Sequence, residues 1–261
     1  KEKLKNKVTA LAEKYLSFDN NEIKLEKDLN DMLEKINSLE KKETGPSLEF
    51  LKGQLCLELY DIYKNSDKKN LADDFLEQAN ESFLESAEGE EFEIMVENKE
   101  GQKISLANKS HSLAYLGDIA TKDFHDSGNK ADWDKNLKYY QEAIRNESDN
   151  GKKHELKMIM GIRKVSHYLG NEKKLEVWKT PRRIDLRKKT ADFSLKYTTG
   201  KDKVINKYID GTGYMSKEKK GKQEWSETGI LQLNEGVADF LVEVDFDVLL
   251  KESGENGGLS E

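Results

Sequence analysis

Proline is nearly missing from this chain: two residues in 261, Pro46 and Pro181. Proline breaks helices by removing a backbone donor and clashing with the preceding turn, so its scarcity leaves room for long uninterrupted helices. Cysteine is scarcer still. Cys56 stands alone, which excludes an internal disulfide and any cluster or zinc site built on several thiolates. The four histidines, His111, His125, His154 and His167, have no metal-ligand spacing, which argues against a zinc enzyme. No stretch approaches the roughly 18 apolar residues that a membrane-crossing helix needs. A lone thiol fits a reducing compartment, so the cytoplasm is the expected location, with an exported fragment left open.

Charged residues (36%) slightly outnumber the apolar set (35%). That is polar for a folded protein, yet the apolar residues recur at regular spacing, which disorder does not require. At about 150 residues per domain the length allows one large domain or two small ones. The net charge of −7 hides an asymmetry. Residues 151–222 hold 21 Lys and Arg against 8 Asp and Glu, whereas after Lys222 there are ten acids and one base, Lys251. A basic block followed by an acidic one bears on partners: the basic part can meet a polyanion or fold back on the acidic segment.

Residues 3–17 place Leu4, Val8, Leu11 and Tyr15 on one helical face. Leu25, Leu29, Met32, Ile36 and Leu39 then alternate steps of four and three, the seam of an antiparallel helix pair or coiled coil. Asp19-Asn20-Asn21 offers a cap between the two, and Thr44-Gly45-Pro46-Ser47 caps a third helix carrying Leu48, Leu51, Leu55, Leu59 and Ile62. Asn65-Ser66-Asp67 turns that helix into a fourth, over about 68–86. The period then changes. Phe92, Ile94 and Val96 alternate with acids, Asn98 to Gly101 turn, and Ile104 and Leu106 follow, predicting a β-hairpin over about 91–107. Helical spacing resumes with Leu113, Leu116, Ala120 and Phe124, then with Trp133, Leu137, Tyr140 and Ile144, then with Leu156, Ile159, Met160 and Val165. Gly170-Asn171 reads as a helix end, with a short helix to Trp178 beyond it. After Thr180-Pro181, Phe193, Leu195 and Tyr197 alternate, residues 211–222 read as a Gly- and Lys-rich loop, and residues 240–248 alternate as a strand.

The frame Gly53 to Ser86 carries Leu59, Tyr63, Ala72, Leu76 and Ala79, and a second frame from Ser110 carries Leu116, Gly117, Tyr140 and Ala143. These positions resemble the leucine, glycine, tyrosine and alanine positions of tetratricopeptide repeats over about residues 50–146. Asn136 replaces the first small alanine of the second frame, and both frames lack the repeat's closing proline. The resemblance implies a curved scaffold of antiparallel helical hairpins whose concave face binds a peptide or protein segment.

Candidates for chemistry are few. Arg163 and His167 lie one turn apart, which resembles the Arg-to-His motif of helical ribonucleases of the HEPN type at a shorter spacing than that family uses. A surface histidine beside an arginine is the expected role. Cys56 sits in an apolar stripe between Leu55 and Leu57, as a buried structural thiol does. Glu243, Asp245 and Asp247 share one face of the strand in 239–247, about 7 Å apart at each step. Such carboxylates either face water or hold a divalent cation for phosphodiester hydrolysis. Gly211-Thr212-Gly213 lacks the third glycine of a dinucleotide fingerprint, and no Walker A motif or nucleophile elbow is present, so no cofactor is expected. The binding candidates are Trp178, Arg182, Arg183, Arg187, Lys188 and Lys189 of the basic block, able to neutralise phosphates and stack a base.

The sequence therefore predicts a mainly α fold. Repeat-like helical hairpins over 1–180 carry an inserted β-hairpin, a small β-rich or α+β module follows over 181–250, and a flexible tail covers 251–261. The expected function is a non-catalytic scaffold or adaptor for a protein partner. The opposed reading is a nucleic-acid-binding or metal-dependent nuclease-type protein using the basic block and the acidic strand. On the scaffold reading, deleting residues 181–261 leaves a folded, binding-competent helical domain, measured by circular dichroism and partner binding. On the opposed reading the chain is retained on a polyanion column at moderate salt, and charge reversal at Arg182, Arg183, Lys188 and Lys189 abolishes retention.

Overall fold

In a computed structural model of the chain, the described residues are 2–171 except 65, 67 and 99, together with 175–177, 195–197, 216–219 and 222–225. The chain divides into two units, one built on Lys1–Asn146 and a second beginning at Glu147. The division expected near residue 180 lies outside the described residues, as do the strand expected over 240–248 and the tail.

The first unit is mostly helical. Its elements are α1 (Glu2–Leu16), α2 (Glu22–Glu40), α3 (Pro46–Tyr63), α4 (Lys69–Glu88), β1 (Glu93–Glu97), β2 (Lys103–Asn108), α5 (Lys109–Ser127) and α6 (Lys130–Asn146). Local chemistry sets the boundaries. The Asn21 side chain accepts from the Lys24 amide at 3.2 Å and opens α2. Pro46 occupies the first turn of α3, where its missing N–H costs nothing. Asn108 and His111 form a reciprocal cap at the start of α5. Gly128 ends α5 in the left-handed conformation at φ 67°, its N–H donating to the Phe124 carbonyl.

Antiparallel neighbours joined by short loops bury their stripes on each other. Helices α3 and α4 pair along their length, α5 and α6 do the same, and α4 lies against α5. The α2 stripe of Leu25, Leu29, Met32 and Ile36 is buried, and the helix it packs on is α3. Helix α1 rests on α3 and β1, with Thr9 Oγ1 donating to the Met95 carbonyl at 3.2 Å. Two helices are buried on every side. Phe50, Gln54, Cys56, Leu57 and Tyr60 fill the faces of α3 that the Leu48–Leu51–Leu55–Leu59 stripe leaves open, and residues 110–121 of α5 are buried without interruption.

Phe50 is the hub. Its ring lies 5.8 Å from Phe83 of α4, 5.9 Å from Phe92 ahead of β1, and 6.1 Å from Tyr115 of α5. Phe83 and Tyr115 stack at 4.9 Å and 13°. The β-hairpin is present as expected and pairs antiparallel, with a register shift between Ile94 and Met95. Ile94 faces Ala107 and Met95 faces Ser105, so Leu106 is the extra residue of a bulge. The bulge puts Ala107, not Leu106, on the buried face, while Ile104 near the tip is exposed.

In the second unit α7 (Asn150–Asn171) starts on Asp149, whose side chain accepts from the Lys152 amide at 2.8 Å. It buries Leu156, Ile159 and Met160 and continues through Gly170 and Asn171. Two sequence expectations are corrected beyond it. The short helix leading to Trp178 is instead a strand, β3 (Leu175–Val177), paired antiparallel with β4 (Leu195–Tyr197) where alternation predicted one. A three-residue apolar–polar–apolar stretch suits a two-sided strand as well as a helical turn, and pairing decides it. The stretch read as a loop over 211–222 contains β5 (Ser216–Lys219), which pairs antiparallel with β6 (Lys222–Trp225). No helix of the described residues is long and apolar enough to cross a membrane.

Close packing makes one glycine decisive. A Cβ on Gly117 would lie 2.4 Å from the ring of Tyr140, which is itself fully buried. Ala restores about 1 kcal/mol of helix propensity but overpacks the α5–α6 seam. Gly117→Ala is expected to lower stability by about 1–3 kcal/mol net, read from urea unfolding. Gly53→Ala, which meets Phe83 at 2.9 Å, should cost less than Gly117→Ala.

Candidate functional site

The structure separates the sequence candidates. Trp178, Arg182, Arg183, Arg187, Lys188 and Lys189 lie outside the described residues, as do Glu243, Asp245 and Asp247. His111 is buried and spent on the α5 cap, where its ring nitrogen accepts from the Asn108 amide. Arg163 is buried, at 2% exposure, and the surface position expected for His167 lies outside the described side chains. The side chains of His125, His154 and His167 are outside the description. Among the described residues no group of three or more His, Cys, Asp or Glu is placed to hold a metal ion.

Cys56 is buried in α3 as expected. Burial pushes its thiol up to about 12; Lys52 opposes the shift, and Glu40 and Glu49 add to it. A nucleophilic thiol needs the opposite displacement.

One concave feature went unnoticed in the sequence. Between α1 and α2 runs an open groove of about 800 Å³. Its walls are Lys7, Ala10, Leu11 and Lys14 from α1, spaced three, four and seven apart, and Asp31, Glu34, Lys35, Ser38 and Leu39 of α2 with Lys42 just beyond. The groove exists because both helices pack on α3 and not closely on each other. Its floor is apolar (Ala10, Leu11 and Leu39), and four lysines against two acids rim it. Lys7 reaches Glu43 at 2.9 Å across one end. That hydrogen bond holds the Glu43 carboxyl below its ordinary range. The lining side chains offer ammonium groups, carboxylates, one hydroxyl and aliphatic surface. That chemistry suits recognition of an amphipathic segment, since apolar floor and charged rim are what such a segment complements.

Beneath the groove α1 is fastened to α3 by a buried polar set. The Tyr15 hydroxyl donates to Glu58 Oε1 in a short hydrogen bond and accepts from Gln54 Nε2 at 3.0 Å. Burial, and then the Glu58 charge, raise the Tyr15 phenol well above its usual value, so it stays a neutral donor at physiological pH. This set fixes the rear of α1 while its Lys7–Lys14 stripe faces the groove.

Comparisons with family models, with curated proteins and with solved structures return no match for this chain. The groove must therefore be read from its own chemistry.

With the Cys56 thiol held near 12, about one molecule in ten thousand is thiolate near pH 8. The native protein is expected to resist alkylation there for hours and to label promptly once denaturant is added, as followed by mass spectrometry. Fast labelling of the native state would contradict the buried position.

Proposed function

We propose that the chain is a non-catalytic helical scaffold that holds an acidic, amphipathic helical segment of a partner protein in the groove between α1 and α2. The observation that carries this reading is the groove: an apolar floor of Ala10, Leu11 and Leu39 inside a rim where lysines outnumber acids two to one. A partner helix laying its apolar stripe on that floor would set flanking carboxylates against Lys14, Lys35 and Lys42. Helix-in-groove recognition uses this division of labour: apolar anchors supply affinity and the charged rim supplies register and on-rate.

The architecture around the groove supports the same reading. The positions that resemble tetratricopeptide repeats, Leu59, Tyr63, Ala72, Leu76 and Ala79, are all buried between helices, and Gly117 sits tightly against Tyr140. Helical hairpins assembled this way put their outer helices forward as an extended surface suited to binding a partner.

The test is a series of amphipathic helical peptides of equal length, graded from acidic to basic. Acidic peptides are expected to bind best, more weakly as salt rises. The double charge reversal K35E/K42E should weaken them about tenfold while leaving the melting temperature within a degree or two. Leu39→Asp, on the floor, should weaken all peptides alike. Equal binding of acidic and basic peptides, or no effect of either substitution, would overturn the reading. Preferential capture of a single-stranded nucleic acid by the same lysines would replace it.

A further inference from the structure

The junction of α2 and α3 carries a group of charges that the groove does not use. Glu40 ends α2, and Glu49 and Lys52 stand one turn apart near the start of α3. The Lys52 ammonium meets Glu40 Oε2 at 2.8 Å, with both side chains largely covered, at 23% and 16% exposure. Glu40 Oε1 is buried and makes no hydrogen bond to a described residue. Glu49 is buried, at 8% exposure, within hydrogen-bonding reach of Glu40. The groups that face Glu49 are Glu40 from α2, Lys52 from α3 and Glu85 from α4, and Cys56 lies next along α3.

The charge count does not close. One ammonium is placed among three carboxylates, and two of those are taken substantially out of water. Burial of an unpaired carboxylate is costly enough that such a group ordinarily takes up a proton instead. A protonated Glu49 would donate to Glu40, whose other oxygen is held by Lys52, leaving one cation, one anion and one neutral acid.

We propose that this junction is a proton-linked latch: Glu49 holds a proton that it donates to Glu40 beside Lys52, and loss of that proton loosens α2 from α3. The direction follows from the environment. Burial and then the Glu40 charge raise the Glu49 carboxyl from 4.5 to about 7, against the pull of Lys52. A carboxyl whose folded value lies above its unfolded one binds more protons in the folded state. Its contribution to stability is therefore greatest below about pH 4.5, falls as pH rises to about 7, and levels off above that. Lys52 stays charged throughout: burial is the largest single influence and opposes its charge, but the hydrogen bond it donates to Glu40 and the charges of Glu40 and Glu49 together outweigh it and raise the ammonium above its ordinary value. Helix α2 is the element to respond, because it supplies Glu40 and the repulsion acts across its seam with α3. This inference is independent of what occupies the groove.

Three measurements on the full chain test it. Carboxyl carbon shifts of Glu49 by NMR should titrate near pH 7, whereas titration in the ordinary carboxyl range overturns the latch. Glu49→Gln keeps the donor and removes the titration. Its urea midpoint should match that of the wild type near pH 5 and exceed it near pH 8, and a constant difference between the two proteins across that range overturns the linkage. If Glu49→Gln fails to fold, the wild-type titration still decides. Amide exchange, corrected for intrinsic rates, should accelerate in α2 more than in α5 or α6 between pH 6 and pH 8. Uniform acceleration, or none, overturns the latch. Groove binding plays no part in these readouts, so failure here and failure of the binding reading remain distinguishable.

Discussion

Phe50 occupies the place where α3, α4, α5 and the approach to β1 converge, and most of the first unit is arranged around satisfying it. An aromatic ring buries on the order of 200 Å², and Phe50 is fully buried. Phe83, Phe92 and Tyr115 close around it from three different elements. Edge contact with His111 adds a fourth partner. The same His111 caps α5, so the hub and the helix start are fixed by one side chain. Because helices α4 and α5 are separated by the β-hairpin in sequence but joined at the hub, the hairpin must leave and return at the same edge of the bundle.

Several polar side chains in this interior are partnered across helix seams, which avoids the cost of orphaning them, roughly 1–3 kcal/mol each. Ser86 donates to the Pro46 carbonyl at 2.7 Å and meets Ser112 at 2.8 Å, so Ser112 is the donor to Ser86. One hydroxyl pair thereby ties α4 to the start of α3 and to α5. The Tyr140 hydroxyl donates to Asp118 Oδ1 at 2.5 Å and joins α6 to α5. Each of these links is directional where apolar contact is not, and together they set how far one helix can slide along another. The Glu40–Glu49–Lys52 group is different in kind, because its partnership depends on a proton and not only on geometry.

How much of this was legible in the sequence depends on how many faces an element buries. Helices α2 and α6 keep one face in water, and their stripes stood out as Leu25–Leu29–Met32–Ile36 and as Trp133–Tyr140. Burial did not follow side-chain size, however: Ala12 in α1, which the stripe left out, and Asn136 and Ala143 in α6, which were named only as repeat positions, are more buried than Leu11, Leu137 or Ile144. Helices α3 and α5 bury every face, so the stripes Leu48–Leu51–Leu55–Leu59 and Leu113–Leu116–Ala120 marked the helices but not the extent of their burial. The hairpin was visible from its alternation, but the bulge at Leu106 was not, since one extra residue shifts the inward set without changing composition. The groove was hidden for the converse reason. Lys7, Lys14, Lys35 and Lys42 sit on faces that amphipathic spacing assigns to solvent, and only the three-dimensional divergence of α1 and α2 turns those faces toward each other.

A helix enclosed on its whole circumference, as α3 is, has a consequence for how such a chain can diverge. Outer helices have a wet side on which substitutions accumulate at little cost to the fold. Residues 48–60 of α3 have almost none: Lys52 and Glu58 are the only two there that are not buried, and each is committed to a neighbouring helix. Descendants of this sequence should vary freely along the rods at the periphery while the central one stays nearly frozen, so a distant relative is best sought by the pattern of its axis and not by its surface.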